Sequence, residues 1–397
     1  MLRSRSFLRQ RSANQHARVG FIELFFDLVF VFAITQLSHT LLHHLTLNGA
    51  LEVGLLFLAV WWVWIYTTWV TNWLDTDRPP VRLFLLALML GGLLLSTSLP
   101  DAFGNRGLVF AVAYVGMQVG RSLYMLWAIG DANPANTRNF QRISCWFSFT
   151  GILWIAGGIL EGETRLFLWI AALAIEYAGP SCSFYVPGLG RSKTGDWDIE
   201  GAHIAERCGL FMIIALGESI LVTGATFAEL EWTAVHVAGF ATAFLATVAM
   251  WWIYFDTGIK RGEELIGNSD DPGRIARLAY TYIHLLIVAG IIVNAVADEL
   301  VLSHPLGHAE PAAIAAILGG PALYLVGNIM FKRLLAAHMA LSHLVGLGLL
   351  AALLPFAPYL PPLALAIGST AVLVLVAIWE TISLRGLFRA SSGPSPS

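Results

Sequence analysis

The first apolar stretch of the sequence contains two carboxylates, Glu23 and Asp27, within "VGFIELFFDLVFVFAITQLSHTLLHHL" at residues 19–45. On a helix the two lie one turn apart and share a face about 60° wide, while Gln36 lies on the opposite side. Carboxylic acids in apolar surroundings can hold a proton or bind a cation. The pattern therefore predicts a proton- or cation-handling role for this helix.

A second stretch, "HIAERCGLFMIIALGES", repeats this theme with His203, Glu206, Arg207 and Glu218. On a helical wheel these four side chains fall within about 120° of arc, and Glu218 lies roughly 18 Å along the helix from Glu206. A charge at that depth of an apolar helix usually faces the interior of a bundle. We predict that the acids of the two stretches converge on a shared, hydrated pocket. The sequence leaves open whether Glu23 and Asp27 pair with Arg207, with Arg121 or with neither.

The signs of the buried charges do not balance. The carboxylates of the apolar segments include Glu23, Asp27, Glu176, Glu206, Glu218 and Asp256. The only arginines well inside these segments are Arg121 and Arg207. Some acids must therefore be protonated, hydrated or bound to a cation, although simple cohesion between helices is an alternative for each residue. The candidate substrate- or ion-binding residues are Glu23, Asp27, Gln36, Arg121, His203, Glu206, Arg207, Glu218 and His284.

The elements that must position these groups are membrane-spanning helices. Of the 397 residues 57% are hydrophobic and only 12% are charged, about half the charged share of a soluble domain. Stretches of about 20 apolar residues are long enough to cross a bilayer as helices. We place about twelve such spans near residues 21–45, 49–71, 82–100, 107–129, 142–160, 165–186, 199–224, 232–256, 275–297, 311–331, 337–356 and 362–384. The predicted fold class is an all-α integral membrane protein.

The basic residues predict the orientation. If the N-terminal tail is cytoplasmic, every Lys and Arg falls in a cytoplasmic segment except Arg106, Arg165, Arg121 and Arg207. An excess of positive charge on one side marks the cytoplasmic loops. We therefore expect both termini in the cytoplasm and a location in the bacterial inner membrane. Nothing in the pattern indicates a nucleic-acid partner, and it does not define an oligomeric state.

The remaining motifs are simpler to interpret. The three cysteines, Cys145, Cys182 and Cys208, all fall in predicted spans and form neither a disulfide framework nor a metal motif. We predict no metal site and no cofactor. The tryptophan-rich segment "WWVWIYTTWVTNW" at residues 61–73 is interpreted as an aromatic belt at the membrane–water interface.

The chain divides into two halves around a Pro/Gly-rich linker. Weak matches in order, Glu23 with Glu206 among them, favour a parallel six-plus-six internal repeat with any site between the halves. The predicted organisation is a basic cytoplasmic tail (1–18), a first membrane half (19–186), a cytoplasmic linker (187–198), a second membrane half (199–385) and a disordered tail (386–397).

The sequence resembles the bacterial low temperature requirement protein A family (LtrA). The segments that carry the resemblance are "ELFFDLVFVFAITQLS", "WWVWIYTTWVTNWLDTDRPPVR", "LPDAFGNRGLVFAVAYV", "HIAERCGLFMIIALGESI", "IARLAYTYIHLLIVAGII" and "LGGPALYLVGNIMF". Together they extend from about residue 18 to 385. The resemblance implies a polytopic membrane protein and does not name a substrate.

Three functions fit these patterns. The leading hypothesis is a proton- or ion-coupled secondary transporter of a small solute that uses the buried carboxylates. One alternative is a structural or sensory membrane protein in cold or stress tolerance. The other is an intramembrane lipid-modifying enzyme with His203, Glu206 and Glu218 as acid–base groups. The absence of a nucleophile motif or a His-rich metal box makes the enzyme less favoured.

Overall fold

A computed structural model describes residues 7–9, 19–130, 133–192, 200–256, 275, 277–336 and 340–391. These residues form twelve α-helices and no β-strand. The helices are α1 (Phe21–His43), α2 (Leu47–Trp73), α3 (Pro79–Ser98), α4 (Gly107–Ile129), α5 (Pro134–Ile159), α6 (Gly162–Ala178), α7 (Gly201–Glu229), α8 (Ala234–Phe255), α9 (His284–Ser303), α10 (Pro311–Ala336), α11 (Leu341–Leu353) and α12 (Pro362–Ser391).

Local side chains define where several helices begin. The Thr46 hydroxyl accepts a hydrogen bond from Gly49 N at 3.0 Å and caps α2. The Asn133 side chain caps α5 in the same way through Asn136 N at 3.1 Å, and Pro134 follows as the first helical residue. Such caps satisfy amide groups that have no partner inside the helix, and proline at the first position loses no hydrogen bond.

Ten of these helices are long and apolar enough to span a membrane, so the chain is a multi-pass membrane protein. The sequence predicts about twelve spans, and the difference lies in α6 and α11. Helix α6 has 17 residues and α11 has 13. At 1.5 Å per residue α11 is about 20 Å long, which is shorter than the hydrocarbon layer of roughly 30 Å.

The helices form two compact units. The first contains residues 1–207 and 270–276, and the second contains residues 208–269 and 277–397. The chain thus passes from one unit to the other after Arg207, within α7. The sequence instead places the boundary between the halves in the linker 187–198.

The predicted terminal and linker segments are described only in part. Residues 187–189 form a turn between Val186 and Gly190, whose backbones pair, and residues 193–198 lie outside the described residues. Helix α12 continues to Ser391, past residue 386, where the sequence places the start of the tail. Residues 1–6, 10–18 and 392–397 also lie outside the described part of the chain.

Within the first unit, α2 is the buried centre. It contacts α1, α4 and α6, and 83% of the residues in its most apolar stretch are buried. Trp61, Trp62 and Trp64 are each at most 2% exposed. The predicted interfacial belt is therefore wrong for these three residues, because their rings fill the space between helices instead of meeting lipid headgroups.

Within the second unit, α9 and α10 make the most extensive helix contact. Their backbones meet at glycines, and a Cβ on Gly320 would lie 2.8 Å from Asn294 N. Small residues permit this approach in membrane helices. A π-helical segment, Arg277–Ile283, precedes α9, so the helical run extends from residue 277 to residue 303.

Candidate functional site

A buried cluster of ionisable residues lies in the first unit. Its members are Arg9, Glu23, Asp27, His203 and Arg207, and we call it the acid–arginine cluster. Glu23 Oε1 lies 3.1 Å from Arg207 Nη1 and 3.1 Å from His203 Nε2. Asp27 Oδ1 accepts a hydrogen bond from Arg207 Nη2 at 2.6 Å. Arg9 Nη2 contacts Glu23 Oε2 at 3.2 Å. Two carboxylates thus meet two guanidinium groups.

The first turns of α1 and α7 and the inner part of α2 position this cluster. Glu23 lies in the first turn of α1, where its Oε2 accepts a hydrogen bond from Gly20 N at 2.8 Å. A carboxylate at a helix N-terminus stabilises the unfilled amides there. Helix α2 contributes Trp64, whose Nε1 donates to Asp27 Oδ1 at 2.8 Å. The first turns of α7 supply His203 and Arg207.

The cluster is dry. The side chains of Glu23, Asp27 and Arg207 are 0% exposed. The predicted hydrated pocket is therefore wrong for the acids of α1, because a guanidinium fork binds both carboxylates directly. Among the described residues, Asp27 Oδ2 and Arg207 Nε have no hydrogen-bond partner. Removing Arg207 would leave Asp27 buried without its ion-pair partner, and Glu23 would keep only Arg9 and His203.

Three other candidates of the first unit do not join this cluster. Glu206 is half-buried, and its Oε2 accepts a hydrogen bond from Val19 N at 3.2 Å. Gln36 is half-buried on α1, and its side chain makes no hydrogen bond with any residue that the structure describes. Arg121 is buried in a separate network.

That network is a chain of hydrogen bonds from Arg121 to Glu176. Arg121 donates to Gln118 Oε1, and Gln118 Nε2 donates to the Tyr114 hydroxyl at 3.0 Å. Tyr114 in turn donates to Glu176 Oε2 at 2.5 Å. Every bond points toward the carboxylate, so the chain links a buried cation to a buried anion through neutral groups. Glu176, unlike Arg121, was not among the site candidates.

Glu176 also accepts at its other oxygen. Thr150 Oγ1 donates to Glu176 Oε1 at 2.7 Å, and Trp154 Nε1 donates to the same atom at 3.0 Å. Three donors therefore converge on one carboxylate, which suits the ionised form because that form only accepts. The geometry assigns Glu176 a cohesive role among α4, α5 and α6.

We expect the change Glu176→Gln to lower the free energy of unfolding by about 1–2 kcal/mol, because an amide group would face the Tyr114 hydroxyl in place of an acceptor. Thermal unfolding of the purified protein in detergent measures this. Glu163→Gln is the matched control, since Glu163 is exposed on the same helix and should change stability by less than about 1 kcal/mol. Equal effects of the two changes would contradict the assignment.

The second unit holds the two remaining candidates. Glu218 is buried in α7, with 2% of its surface exposed. His284 is fully buried, and its Nδ1 lies 2.9 Å from Ala279 O while its Nε2 lies 2.7 Å from the Tyr254 hydroxyl. Because a carbonyl only accepts, Nδ1 carries the proton and Nε2 accepts from Tyr254. This geometry makes His284 a satisfied core histidine that closes the π-helical turn.

A second polar cluster surrounds a carboxylate that the sequence-based candidates omit. Its members are Ser219 of α7, Thr247 of α8, and Asn294 and Asp298 of α9, and we call it the Asp298 cluster. Asp298 Oδ2 accepts from Ser219 Oγ at 3.0 Å and from Asn294 Nδ2 at 3.0 Å. Asp298 is 8% exposed. No Lys, Arg or His side chain among the described residues forms an ion pair with it.

The hydroxyl groups of this cluster can serve either charge state of Asp298. With the carboxylate ionised, Ser219 donates to it, and Thr247 Oγ1 lies 3.1 Å from Ser219 Oγ and 3.2 Å from Ala243 O. With the acid protonated, its hydroxyl group can donate a hydrogen bond to Ser219 Oγ. The Ser219 hydroxyl then donates to Thr247 Oγ1, and the Thr247 hydroxyl donates to Ala243 O. Each hydroxyl proton keeps an acceptor in both arrangements. Apart from the proton on Asp298, the two states differ only in the rotation of these hydroxyl groups.

Sequence reasoning omitted Asp298 because it ended the ninth span at residue 297. The signal that could have found it is the absence of any helix stop in the run that ends at Ser303, two residues before Pro305. Extending the span to that proline places Asp298 inside it. Arg9 was similarly assigned to the tail, and no local pattern marks its contact with Glu23.

Comparison with known proteins identifies relatives over almost the whole chain. The family described as "Bacterial low temperature requirement A protein (LtrA)" matches residues 18–378. A relative from Rhizobium meliloti (strain 1021), called "Uncharacterized protein RA0937", is 42% identical over 387 residues, which cover 97% of this chain and 94% of that protein. No solved structure matches the chain.

Proposed function

We propose that this chain, which belongs to the bacterial low temperature requirement A (LtrA) family, is a proton- or cation-coupled secondary transporter of a small solute. In this proposal Asp298 is the coupling carboxylate. The single observation that carries it is a buried acid in a membrane helix without an ion-pair partner among the described residues.

Physical chemistry connects that observation to coupling. A buried carboxylate charge inside a membrane protein costs free energy unless it is compensated, so Asp298, which is 8% exposed, needs a proton or a cation to offset its charge. The Asp298 cluster offers hydroxyl and amide groups from three helices around the carboxylate. Binding and release of one positive charge at such a group can be linked to a conformational change of the surrounding helices.

The acid–arginine cluster has a different role in the proposal. Its two carboxylates face two guanidinium groups, so neither needs an additional cation. Glu23 and Asp27, the first candidates from the sequence, are therefore assigned to cohesion of the first unit. Glu218 stays a second candidate for coupling because it is buried and precedes Ser219 on α7.

The proposal includes the six-plus-six parallel repeat, cytoplasmic termini and a place in the bacterial inner membrane. Helices α1–α6 and the helices from α7 to α12 supply equal numbers to a repeat of this kind. The distribution of Lys and Arg supports the orientation. Because the two halves of a parallel repeat enter the membrane from the same side, this arrangement requires that the shorter helices α6 and α11 also cross the membrane.

Reconstitution into liposomes that contain a pH-sensitive dye tests the function. A proton gradient is imposed while inorganic cations, organic cations, amino acids and organic acids are added in turn. We expect one class to produce a solute-dependent dye signal with the native protein. The change Asp298→Asn should reduce this signal to that of protein-free liposomes, because an amide can neither release a proton nor hold a cation by charge.

Two further variants sharpen this test. Ser219→Ala keeps the carboxylate but removes its hydroxyl partner, so it should slow the signal without abolishing it. Glu299→Gln is the matched control, since Glu299 is the next residue on α9 and only half-buried; its signal should equal that of the native protein. An undiminished signal in Asp298→Asn would overturn the role of Asp298, and silence of the native protein with every solute class would overturn transport.

A further inference from the structure

The segment Phe7–Arg9 lies against the end of α2 in the first unit. Two backbone hydrogen bonds hold it, from Arg9 N to Trp73 O at 2.8 Å and from Asp75 N to Phe7 O at 2.8 Å. The Phe7 ring stacks on Trp127, with 4.8 Å between ring centroids. These contacts aim one side chain, that of Arg9, at the acid–arginine cluster.

The guanidinium group of Arg9 contacts two oxygens through two of its nitrogens. Nε donates to Leu74 O at 3.1 Å, and Nη2 donates to Glu23 Oε2 at 3.2 Å. The Arg9 side chain is 13% exposed whereas that of Glu23 is 0% exposed. Arg9 is therefore the outermost group of the cluster and covers its carboxylate.

His203 lies beside this position, with its Nε2 3.3 Å from Arg9 Nη2 and 3.4 Å from Glu23 Oε2. The Asn72 amide is oriented by Glu200, since Nδ2 donates to Glu200 O at 2.9 Å and Oδ1 accepts from Glu200 N at 3.0 Å. Asn72 therefore presents a donor to His203 Nδ1 at 3.4 Å. Nδ1 must then accept, and the proton on Nε2 is donated to Glu23 Oε1. Both acceptors of the Arg9 guanidinium, Glu23 Oε2 and Leu74 O, remain available to a cation.

The charge of the cluster depends on Arg9. With neutral His203, Arg207 compensates one of the two carboxylates, and Arg9 compensates the other. Every other member of the cluster lies on a helix. Arg9 instead belongs to the segment Phe7–Arg9, which is held by its contacts with Trp73 and Asp75. We propose that the Arg9 position is a binding site for a guanidinium or primary ammonium group, which the segment Phe7–Arg9 occupies as a tethered ligand.

The geometry of this site predicts an order of affinity among cationic ligands. A guanidinium group can donate to the carboxylate and to the carbonyl oxygen at once, because its N–H groups diverge in one plane. A primary ammonium group is a compact charge without this planar array of N–H groups. It matches the two oxygens less well and therefore binds more weakly. A quaternary ammonium ion has no N–H group and does not bind. The site is distinct from the Asp298 cluster, and its existence does not depend on transport.

Chemical rescue of a full-length Arg9→Ala variant tests the site. We expect the apparent melting temperature in detergent to fall by about 3–6 °C, because a charge-assisted contact with a buried carboxylate is lost. Methylguanidinium at millimolar concentration should restore at least half of that loss. Tetramethylammonium and sodium at equal ionic strength should not. Arg78→Ala is the matched control, since Arg78 pairs with Asp75 at an exposed position, and methylguanidinium should leave it unchanged.

A second measurement uses the native protein and therefore does not depend on the folding of the variant. Methylguanidinium should displace the segment and accelerate hydrogen exchange at the amides of Arg9 and Asp75, which its contacts protect. Phe7→Ala should show faster exchange at lower methylguanidinium concentration, because it lacks the stacking contact. Unchanged exchange in the native protein would overturn the proposal. So would a rescue that tetramethylammonium matches or that persists in Arg9→Ala/Glu23→Gln.

Discussion

Replacing Arg207 with leucine should lower the free energy of unfolding by about 3–5 kcal/mol, because it removes one partner of a buried ion pair and leaves the other charge uncompensated. Here the loss affects two carboxylates, since Arg207 binds Glu23 through Nη1 at 3.1 Å and Asp27 through Nη2 at 2.6 Å. Both acids are 0% exposed and gain no solvent contact in compensation. Thermal and denaturant unfolding of the purified protein in detergent measure the effect.

Matched variants separate charge from side-chain volume. Arg207→Lys keeps the charge but cannot bind both carboxylates as a fork. It should therefore lower the free energy of unfolding, but by less than Arg207→Leu does. The triple change Arg207→Leu/Glu23→Gln/Asp27→Asn should recover most of the stability, because it removes the charges together. Arg78→Ala breaks an exposed pair and should cost about 0–1 kcal/mol. A loss of that size in Arg207→Leu would show that the cluster is hydrated in solution.

The second large effect is expected where α9 and α10 meet. A Cβ on Gly320 would lie 2.8 Å from Asn294 N and 3.1 Å from Asn294 Cα, whereas a Cβ on Gly319 would have no atom within 4 Å. Gly320→Ala should therefore cost about 1–3 kcal/mol, because the backbones of two packed helices must separate. Gly319→Ala should be neutral or stabilise the protein by up to about 1 kcal/mol, since alanine favours the helix.

This pair of changes adds one methyl group to neighbouring positions of the same helix, so each is a control for the other. Unfolding in detergent should show the difference directly. The same displacement reaches the Asp298 cluster, because Asn294 donates to Asp298. Gly320→Ala should accordingly also weaken the transport signal, and Gly319→Ala should preserve it. Equal stability of the two variants would contradict the close packing of α9 on α10.

Much of the architecture follows from the sequence because long apolar stretches allow few structures in a membrane. Helices and the membrane class were predictable from the requirement that every backbone amide be satisfied within its own segment. The family was recognisable from motifs that extend along the chain. Helix α11 was predicted as a span from its composition, and its 13 residues show that composition alone does not determine where a helix ends.

The contents of the buried clusters were only partly predictable. Helical periodicity placed Glu23 and Asp27 on one face of α1, and the structure adds Arg207 as their shared partner. Periodicity cannot supply this pairing, because it arises between helices 180 residues apart. Trp64 shows the same limit. Its ring was predicted at an interface, yet its Nε1 donates to Asp27 in the core.

Residue Arg207 also places a constraint on biosynthesis. Ribosomes add about 5–20 residues per second, so the 180 residues between Asp27 and Arg207 require roughly 10–40 s of translation. During that interval the nascent chain contains Glu23 and Asp27 without the Arg207 guanidinium group that binds both of them. The earliest helices consequently stay incompletely assembled in the bilayer until the start of α7 emerges, and translation stalled before that codon should expose them to membrane proteases.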